Sequence, residues 1–141
     1  MSQIKRIVLD ANILIRAVLG EKVRSLLECH SDHVEFYTPE QCFNEAERHL
    51  PVILSRYQDI DVSVAMDALA RLRYIVQSLE PETYTQFEQD AKKRIAERDP
   101  DDWPVVAIAL LLNCPIWTED KDFFGIGIAT WQTQHIQIYL G

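Results

Sequence analysis

Acidic side chains follow two apolar stretches whose composition predicts β-strands. Residues 4–9 (IKRIVL) are followed by Asp10, and residues 114–118 (CPIWT) are followed by Glu119 and Asp120. Short runs rich in β-branched and aromatic residues favour strands. In an open α/β sheet, the ligand site lies in the crevice beyond the carboxyl ends of the strands. We therefore expect Asp10 and Asp120 to reach the same crevice.

A third group of acids precedes the most apolar stretch of the chain. Residues 97–102 (ERDPDD) contain four acids and lead directly into residues 103–112 (WPVVAIALLL), which carry no charge. A helix that is apolar on every side is buried in the centre of a fold. One aspartate, Asp101 or Asp102, is expected to cap this helix. Three aspartates within four positions exceed what a cap requires, so the others, Asp99 included, are expected to face the same end of the sheet.

Carboxylates that converge on one crevice repel one another, and a cation between them relieves that repulsion. Mg²⁺ and Mn²⁺ are hard cations that take oxygen ligands. One or two such ions can activate a water molecule and neutralise charge on phosphoryl oxygens, which is what hydrolysis of a phosphodiester requires. The acids therefore predict a metal site of this kind.

Strand and helix patterns alternate along the rest of the chain. Strands are predicted at residues 34–37 (VEFY), near residues 75–79 and, as the last one, at residues 136–139 (IQIY). With the two strands that precede acids, these make roughly five strands separated by helices. Such an order predicts a three-layer α/β/α sandwich around a parallel sheet. No repeat or linker divides the sequence, so residues 1–141 are expected to form a single domain.

Capping residues and apolar spacing predict the helices. Helical spacing begins at Ala11 and again at Val23. Thr38 is expected to cap a helix that has Pro39 at its first position and ends near His49, ahead of a proline. Further helices are predicted after the cap Asp61, from Pro81, and from Trp103 to a stop at Asn113.

Composition limits the classes of protein and of partner. The chain has 141 residues, of which 48% are hydrophobic and 26% charged, which is ordinary for a globular protein. A net charge of −8 argues against binding nucleic acid by bulk electrostatics, unless metal ions reverse the local sign. Cys29, Cys42 and Cys114 form no paired motif and predict thiols in a reducing compartment. No segment predicts a signal peptide or a membrane span, so a cytoplasmic location is expected.

Four segments, taken together and in order, resemble the PIN-domain family. They are residues 8–14 (VLDANIL), 43–45 (FNE), 99–107 (DPDDWPVVA) and 117–124 (WTEDKDFF). The resemblance covers essentially the whole chain. It implies a five-stranded parallel sheet with helices on both faces and an acidic pocket at the strand ends. It also implies an Mg²⁺- or Mn²⁺-dependent nuclease acting mostly on single-stranded RNA, a class that includes VapC-like toxins of bacterial toxin–antitoxin pairs.

The resemblance also carries site residues over to this chain, position by position. Its four acids and two neighbouring polar groups fall on Asp10, Glu45, Asp102, Asp120 or Asp122, Asn12 and Thr118. The last motif is one residue shorter than in the toxin subgroup and has an acid where that subgroup carries Asn. The DPDD run is also closer to free-standing members. These two departures bear on the toxin role and not on the nuclease activity.

These residues receive specific expected roles. Asp10 and Asp102 are expected to bind metal directly, with Asp120 or Asp122 holding a second ion or its waters. Glu45 is expected to orient the attacking water, although a solvated helix face is its alternative.

Supporting roles are also expected for polar residues around the acids, and the resemblance implies several partners. Asn12 and Thr118 are expected to orient the carboxylates, and Asp99 is either a supporting residue or an extra ligand. The implied partners are a single-stranded RNA substrate, a second copy in a homodimer and an antitoxin protein. The alternative function is an inactive PIN-type module that binds protein or RNA.

Other arrangements of reactive residues are weaker. The four glycines do not form a phosphate-binding loop. A haloacid-type phosphatase would require a second aspartate where Asn12 stands, and His30 and His33 have no nearby partner for a zinc site. Two uses stay open for the basic residues 92–94 and for Arg98: binding a nucleic-acid backbone, or forming a solvated helix face.

Overall fold

The computed structural model describes residues 4–57 and 59–141. Five parallel strands form one sheet in the order β3-β2-β1-β4-β5, which confirms the predicted α/β class and the parallel sheet. The strands are β1 (Lys5–Leu9), β2 (Val34–Pro39), β3 (Val76–Leu79), β4 (Ile116–Trp117) and β5 (Thr130–Trp131).

The described residues also form eight α-helices and three short 3₁₀ turns, of which all but the last helix lie between strands. The helices are α1 (Ala11–Leu19), α2 (Glu21–His30), α3 (Glu40–Leu54), α4 (Val62–Leu72), α5 (Pro81–Tyr84), α6 (Glu88–Ile95), α7 (Trp103–Leu112) and α8 (Ile136–Leu140). The 3₁₀ turns are Thr85–Phe87, Pro100–Asp102 and Lys121–Phe123. No helix in the described part of the chain is both long and apolar enough to cross a membrane.

The strand order makes β1 the switch point of the sheet. The chain moves outward from β1 to β2 to β3, and then returns across β1 to form β4 and β5. Parallel crossovers are right-handed, so a reversal of direction puts the later helices on the opposite face. Helices α1, α3 and α4 accordingly pack together, and α7 packs with α5 and α6. A crevice forms at such a switch point, here between the ends of β1 and β4.

The core lies around the middle strands and α7. Ile7, Val8 and Leu9 of β1 are fully buried, and so is Trp117 of β4. Helix α7 is buried through its middle turns, as its uncharged sequence predicts. Each large apolar side chain that leaves water completely contributes about 1.5–3 kcal/mol, so this layer fixes where β1 and β4 end.

The prediction of a last strand at residues 136–139 is wrong. These residues begin helix α8, and the fifth strand is the two-residue β5. Ile136 and Leu140, four positions apart, are fully buried, whereas Ile138 is 73% exposed. The four-residue spacing buries one face of a helix. The alternation of Ile136 and Ile138, which favours a strand, would require both isoleucines to be buried, and only Ile136 is.

The predicted role of Thr38 as a helix cap is also wrong. Thr38 belongs to β2, and its hydroxyl donates a hydrogen bond to the Leu9 carbonyl at 2.7 Å. Helix α3 begins at Glu40 and continues through Pro51 to Leu54. A proline inside a helix removes one hydrogen bond to the carbonyl four residues earlier. That residue, Glu47, lies on the exposed side of α3 and has a side chain that is 48% exposed.

Other predicted helix boundaries agree with the structure. Asp61 caps α4 by accepting a hydrogen bond from the Ser63 N–H at 2.9 Å. Asn113 ends α7 in the left-handed conformation, with φ of 50°. The helix predicted from Pro81 is divided into α5, a 3₁₀ turn and α6.

Candidate functional site

Asp10 is held firmly at the junction between β1 and α1. Its Oδ1 accepts a hydrogen bond from the Ile13 N–H at 3.1 Å, which makes it the cap of α1. Its Oδ2 accepts a hydrogen bond from the Thr118 hydroxyl, at the end of β4. The side chain is only 8% exposed. Both oxygens are therefore oriented by the fold.

Burial makes the charged form of Asp10 costly. The pKa of this carboxyl is raised to about 6, mainly because burial disfavours the charge and to a smaller extent because of the Asp120 charge. The hydrogen bonds from Thr118 and Ile13 act in the opposite direction and lower it. A carboxylate in this position is stabilised by any cation that comes close to it.

Asp102 lies at the start of α7 with its carboxylate free. It occupies the capping position, but its side chain makes no capping hydrogen bond. Asp99 instead caps the preceding turn by accepting a hydrogen bond from the Asp101 N–H at 3.1 Å. The expectation that Asp101 or Asp102 caps α7 with its side chain is therefore wrong. Asp99 does the local capping, and this leaves the Asp102 carboxylate available.

Neighbouring acids perturb Asp102 more strongly than Asp10. The pKa of Asp102 is raised to about 7, first by burial and then by the negative charges of Asp99, Asp120, Asp10 and Glu45. Four other carboxylates are thus close enough to disfavour its ionisation. Such a concentration of charge is unfavourable without a cation.

Two of the acids in the segment after β4, Asp120 and Asp122, lie beside Asp102. The Asp120 N–H donates to the Thr118 hydroxyl oxygen at 2.9 Å, and Asp120 Oδ1 accepts from the Asp122 N–H at 2.9 Å. These bonds shape the 3₁₀ turn Lys121–Phe123. One carboxylate oxygen from each of Asp102, Asp120 and Asp122 lies within 4.8 Å of the others. The structure thus brings both Asp120 and Asp122 beside Asp102.

A cleft of about 130 Å³ joins Asp102 and Asp120 to the end of β1. The polar and charged residues that line it are Asp10, Asn12, Gln41, Cys42, Glu45, Asp102 and Asp120. The predicted residues Asn12 and Glu45 therefore face the same cleft as the aspartates. Thr118 lies beneath it through its bond to Asp10, whereas Asp99 is occupied by its capping bond.

Two of the polar lining residues were not predicted as site residues. The side-chain amide of Gln41 donates to the Asp101 carbonyl at 3.3 Å and so connects α3 to the turn before α7. Cys42 is buried, and burial together with the Asp10 charge raises the pKa of its thiol. The helical spacing of residues 41, 42 and 45 was the available signal, because it places all three on one face of α3.

The donors suit a hard divalent cation. Among the described residues, Asp102, Asp120 and Asp122 are the one group of three or more potential metal-ligating side chains this close together, and all three offer carboxylate oxygen. No thiolate or imidazole belongs to the group, which disfavours a zinc site of the usual kind. Mg²⁺ and Mn²⁺ prefer such oxygen donors.

Comparison with known proteins decides the family. The family model described as PIN domain matches residues 8–141, which is nearly the whole chain. The chain belongs to the PIN-domain family. The resemblance noted in the sequence is therefore confirmed, and the matched region includes every acid of the cleft.

Solved structures agree with this PIN-domain assignment. VapBC2 from Rickettsia felis, crystallised bound to a DNA fragment from its promoter, is similar with a TM-score of 0.67 and 12% identity, over 90% of this chain and 98% of that one. PAE2754 from Pyrobaculum aerophilum has a TM-score of 0.69 and 17% identity, over 96% of this chain and 89% of that one. At these identities the likeness establishes a common fold. No curated protein sequence matches the chain.

Proposed function

We propose that this PIN domain is an Mg²⁺- or Mn²⁺-dependent endoribonuclease that hydrolyses single-stranded RNA. The observation that carries the proposal is the oxygen cluster of Asp102, Asp120 and Asp122 within 4.8 Å, beside the buried Asp10. Membership of the PIN-domain family supports it, because PIN domains are generally nucleases. The choice of single-stranded RNA rests on the family resemblance.

The four aspartates would hold the metal. Asp102, Asp120 and Asp122 supply converging oxygens, and Asp10 supplies an oriented carboxylate next to them. The raised pKa values of Asp10 and Asp102 mean that a nearby positive charge would be bound favourably. When bound, a divalent cation neutralises charge on the phosphoryl oxygens and makes a water molecule easier to deprotonate.

The other polar groups would position the reactants. Glu45 faces the cleft from α3, where its carboxylate would accept a hydrogen bond from the attacking water and orient it. Thr118 donates to Asp10 and so keeps that carboxylate in one orientation. The Asn12 amide lines the same cleft and would steady either Asp10 or a phosphate oxygen.

Charge explains why the metal would also be needed for substrate binding. The chain carries a net charge of −8, and the cleft contains at least four carboxylates. An RNA backbone would be repelled by this surface in the absence of cations. Binding of one or two divalent ions would offset part or all of the charge of these four carboxylates, so RNA binding and catalysis would share one requirement.

A nuclease assay with matched variants tests the proposal. Fluorescent single-stranded RNA should be cut with Mg²⁺ or Mn²⁺, and exhaustive chelation should abolish cleavage. Asp10→Asn and Asp102→Asn should lose activity while staying folded. Asp67→Asn is the control, because it removes the same charge from an exposed site on α4. Unchanged cleavage after chelation, or full activity in both cleft variants, would rule the mechanism out.

The alternative is an inactive PIN-type module that binds a protein or an RNA. The presence of all the expected acids counts against it, because a module without chemistry has no need to maintain this repulsion. If the protein binds RNA but no tested metal restores cleavage, this alternative replaces the nuclease.

We further propose that the protein acts in the cytoplasm as a homodimer and has an antitoxin partner. Similarity of fold to VapBC2 supports the partner. Several large apolar side chains are exposed near the α3–α4 connection, including Val52 (58%), Tyr57 (57%) and Val64 (61%), and these suit an interface. An arginine from an antitoxin would bind the carboxylates in place of the metal.

Expression alone in a bacterial host tests the toxin role. A toxin should arrest growth, and its Asp10→Asn form should not. Normal growth with soluble, metal-active protein would identify a nuclease that is not a toxin. Light scattering on purified protein checks the dimer.

A further inference from the structure

Two arginines form hydrogen bonds with the loop after β4, residues 120–127, which carries Asp120 and Asp122. Arg94 lies in the last turn of α6, and Arg98 follows four positions later, ahead of the turn that presents Asp102. Both residues are exposed, as the solvated-face interpretation expects, but their guanidinium groups also make specific contacts with the protein. Both guanidinium groups donate to main-chain carbonyls of residues 121–126.

Arg98 holds the end of the 3₁₀ turn Lys121–Phe123. Its Nη1 donates to the Asp122 carbonyl at 2.8 Å and to the Phe124 carbonyl, and it also approaches the Lys121 carbonyl at 3.5 Å. The last carbonyls of a helical turn have no partner within the turn. The Asp120 carboxylate already binds the other end through the Asp122 N–H. Asp120 and Arg98 therefore fix the turn from both sides.

Arg94 holds the glycine-containing continuation of the loop. Its Nε bonds to Asp90 Oδ1 at 3.1 Å, and its Nη1 donates to the Ile126 carbonyl at 2.9 Å. Gly127 has a φ of +87°, and a Cβ there would lie 2.7 Å from Arg94 Nη1. Absence of a side chain at this position lets the loop approach the guanidinium. The two contacts restrain a segment that its glycines would otherwise leave free.

We propose that Arg98, supported by Arg94, is a positioning residue that sets the distance of Asp120 and Asp122 from Asp102. The inference rests on the proposed function, because it assigns the two arginines a part in metal binding. Like charges push these carboxylates apart, and the position of the loop after β4 keeps their oxygens within 4.8 Å. Arg98 joins the chain segment before Asp102 to the turn that bears Asp122, so its bonds oppose that separation. Groups that orient metal ligands typically change metal affinity by about 10–100-fold.

Isothermal titration calorimetry of the metal-free protein with Mn²⁺ tests the positioning role of Arg98 without an activity measurement. Arg98→Met should weaken Mn²⁺ binding by about tenfold or more, and Arg98→Lys by less. Lys93→Met is the control for lost charge, because Lys93 is exposed and no hydrogen bond or ion pair in the described residues involves it. Its affinity should stay within about twofold of wild type.

The sign of the effect separates positioning from electrostatics. Removal of a positive charge near a cation site strengthens cation binding by Coulomb interaction alone. Weaker binding by folded Arg98→Met therefore requires displaced ligands. Urea unfolding in EDTA gives the stability of each variant, and a purely structural role would lower that stability while leaving the Mn²⁺ affinity of the folded protein unchanged.

The outcomes distinguish this inference from the proposed function. If wild type binds Mn²⁺ and folded Arg98→Met binds it equally well or more tightly, the positioning role is overturned and the proposed function stands. If Arg98→Met does not fold, Arg98→Gln decides, since its shorter side chain cannot reach the carbonyls that the guanidinium Nη1 binds, and wild-type affinity in that variant overturns the role. Failure of wild type itself to bind Mn²⁺ overturns both.

Discussion

Asp10→Asn should stabilise the metal-free protein at alkaline pH, although it removes a site residue. The pKa of Asp10 is raised from 3.8 to about 6, a difference of about 2 units. One unit corresponds to about 1.4 kcal/mol, so ionised Asp10 lowers the free energy of unfolding by about 3 kcal/mol. An uncharged amide of nearly the same shape avoids this cost.

The substitution also disturbs one hydrogen bond, which sets the net gain. Asn keeps an oxygen that accepts from the Ile13 N–H, but its NH₂ group replaces the oxygen that accepts from the Thr118 hydroxyl. Thr118 would have to turn its hydroxyl hydrogen elsewhere, at a cost of about 1 kcal/mol. The expected gain is therefore about 2 kcal/mol, or roughly 6 °C in melting temperature for a chain of this size.

The stability gained by Asp10→Asn should increase as the pH rises. The folded-state pKa of Asp10 is raised, so its ionisation costs nothing below about pH 4 and costs the full amount above about pH 6. Asp10→Asn should therefore be more stable than wild type at pH 8 and slightly less stable at pH 4. Urea unfolding in EDTA at both pH values measures this crossover.

Asp67→Asn is the matched control and should show little change at either pH, because Asp67 is exposed. An equal loss of stability at pH 4 and pH 8 in Asp10→Asn would refute the reasoning. It would mean that the carboxylate contributes through its hydrogen bonds alone and that its burial carries no electrostatic cost.

Three further predictions concern the metal and its neighbours. Mg²⁺ or Mn²⁺ at about 100 times its dissociation constant should stabilise wild type by about 2.7 kcal/mol, and Asp102→Asn should lose this shift in a thermal melt at equal metal concentration. Glu45→Gln should bind Mn²⁺ within a few-fold of wild type but lose about 100-fold or more in single-turnover cleavage, and unchanged turnover would leave Glu45 as an ordinary helix residue. Thr118→Val should cost about 1–3 kcal/mol in urea unfolding, because Asp10 Oδ2 and the Asp120 N–H lose a buried partner. Thr118→Ser, which keeps the hydroxyl, should recover most of that loss.

Local patterns were sufficient to predict the main strands and the convergence of the acids. Residues 4–9 and 114–118 read as strands on composition alone, and parallel strands bring their carboxyl ends to one edge. Asp10 and Asp120 therefore had to meet once the fold class was correct. The family resemblance added Glu45, whose helical position gave no independent reason to expect it in the cleft.

Other features depend on tertiary contacts that leave no local signal. The short segment 136–140 fits both strand and helix periods, and packing of Ile136 and Leu140 decides in favour of the helix. Thr38 fits the sequence pattern of a helix N-cap, yet its hydroxyl donates a hydrogen bond to the Leu9 carbonyl of β1. The hydrogen bond from Arg98 to the Asp122 carbonyl joins residues 24 positions apart, and no local sequence pattern near either residue predicts it.

The hydrogen bond from Thr118 to Asp10 joins residues that are 108 positions apart in the chain. Closing so long a loop is entropically costly, and the contact forms only when β4 has docked beside β1. The candidate centre also draws Glu45 and Asp102 from two intermediate segments, so a fragment that lacks either β1 or β4 cannot contain it. Any activity of this centre should thus disappear together with global unfolding, and a half-folded intermediate or a proteolytic piece that lacks β1 or β4 should show none.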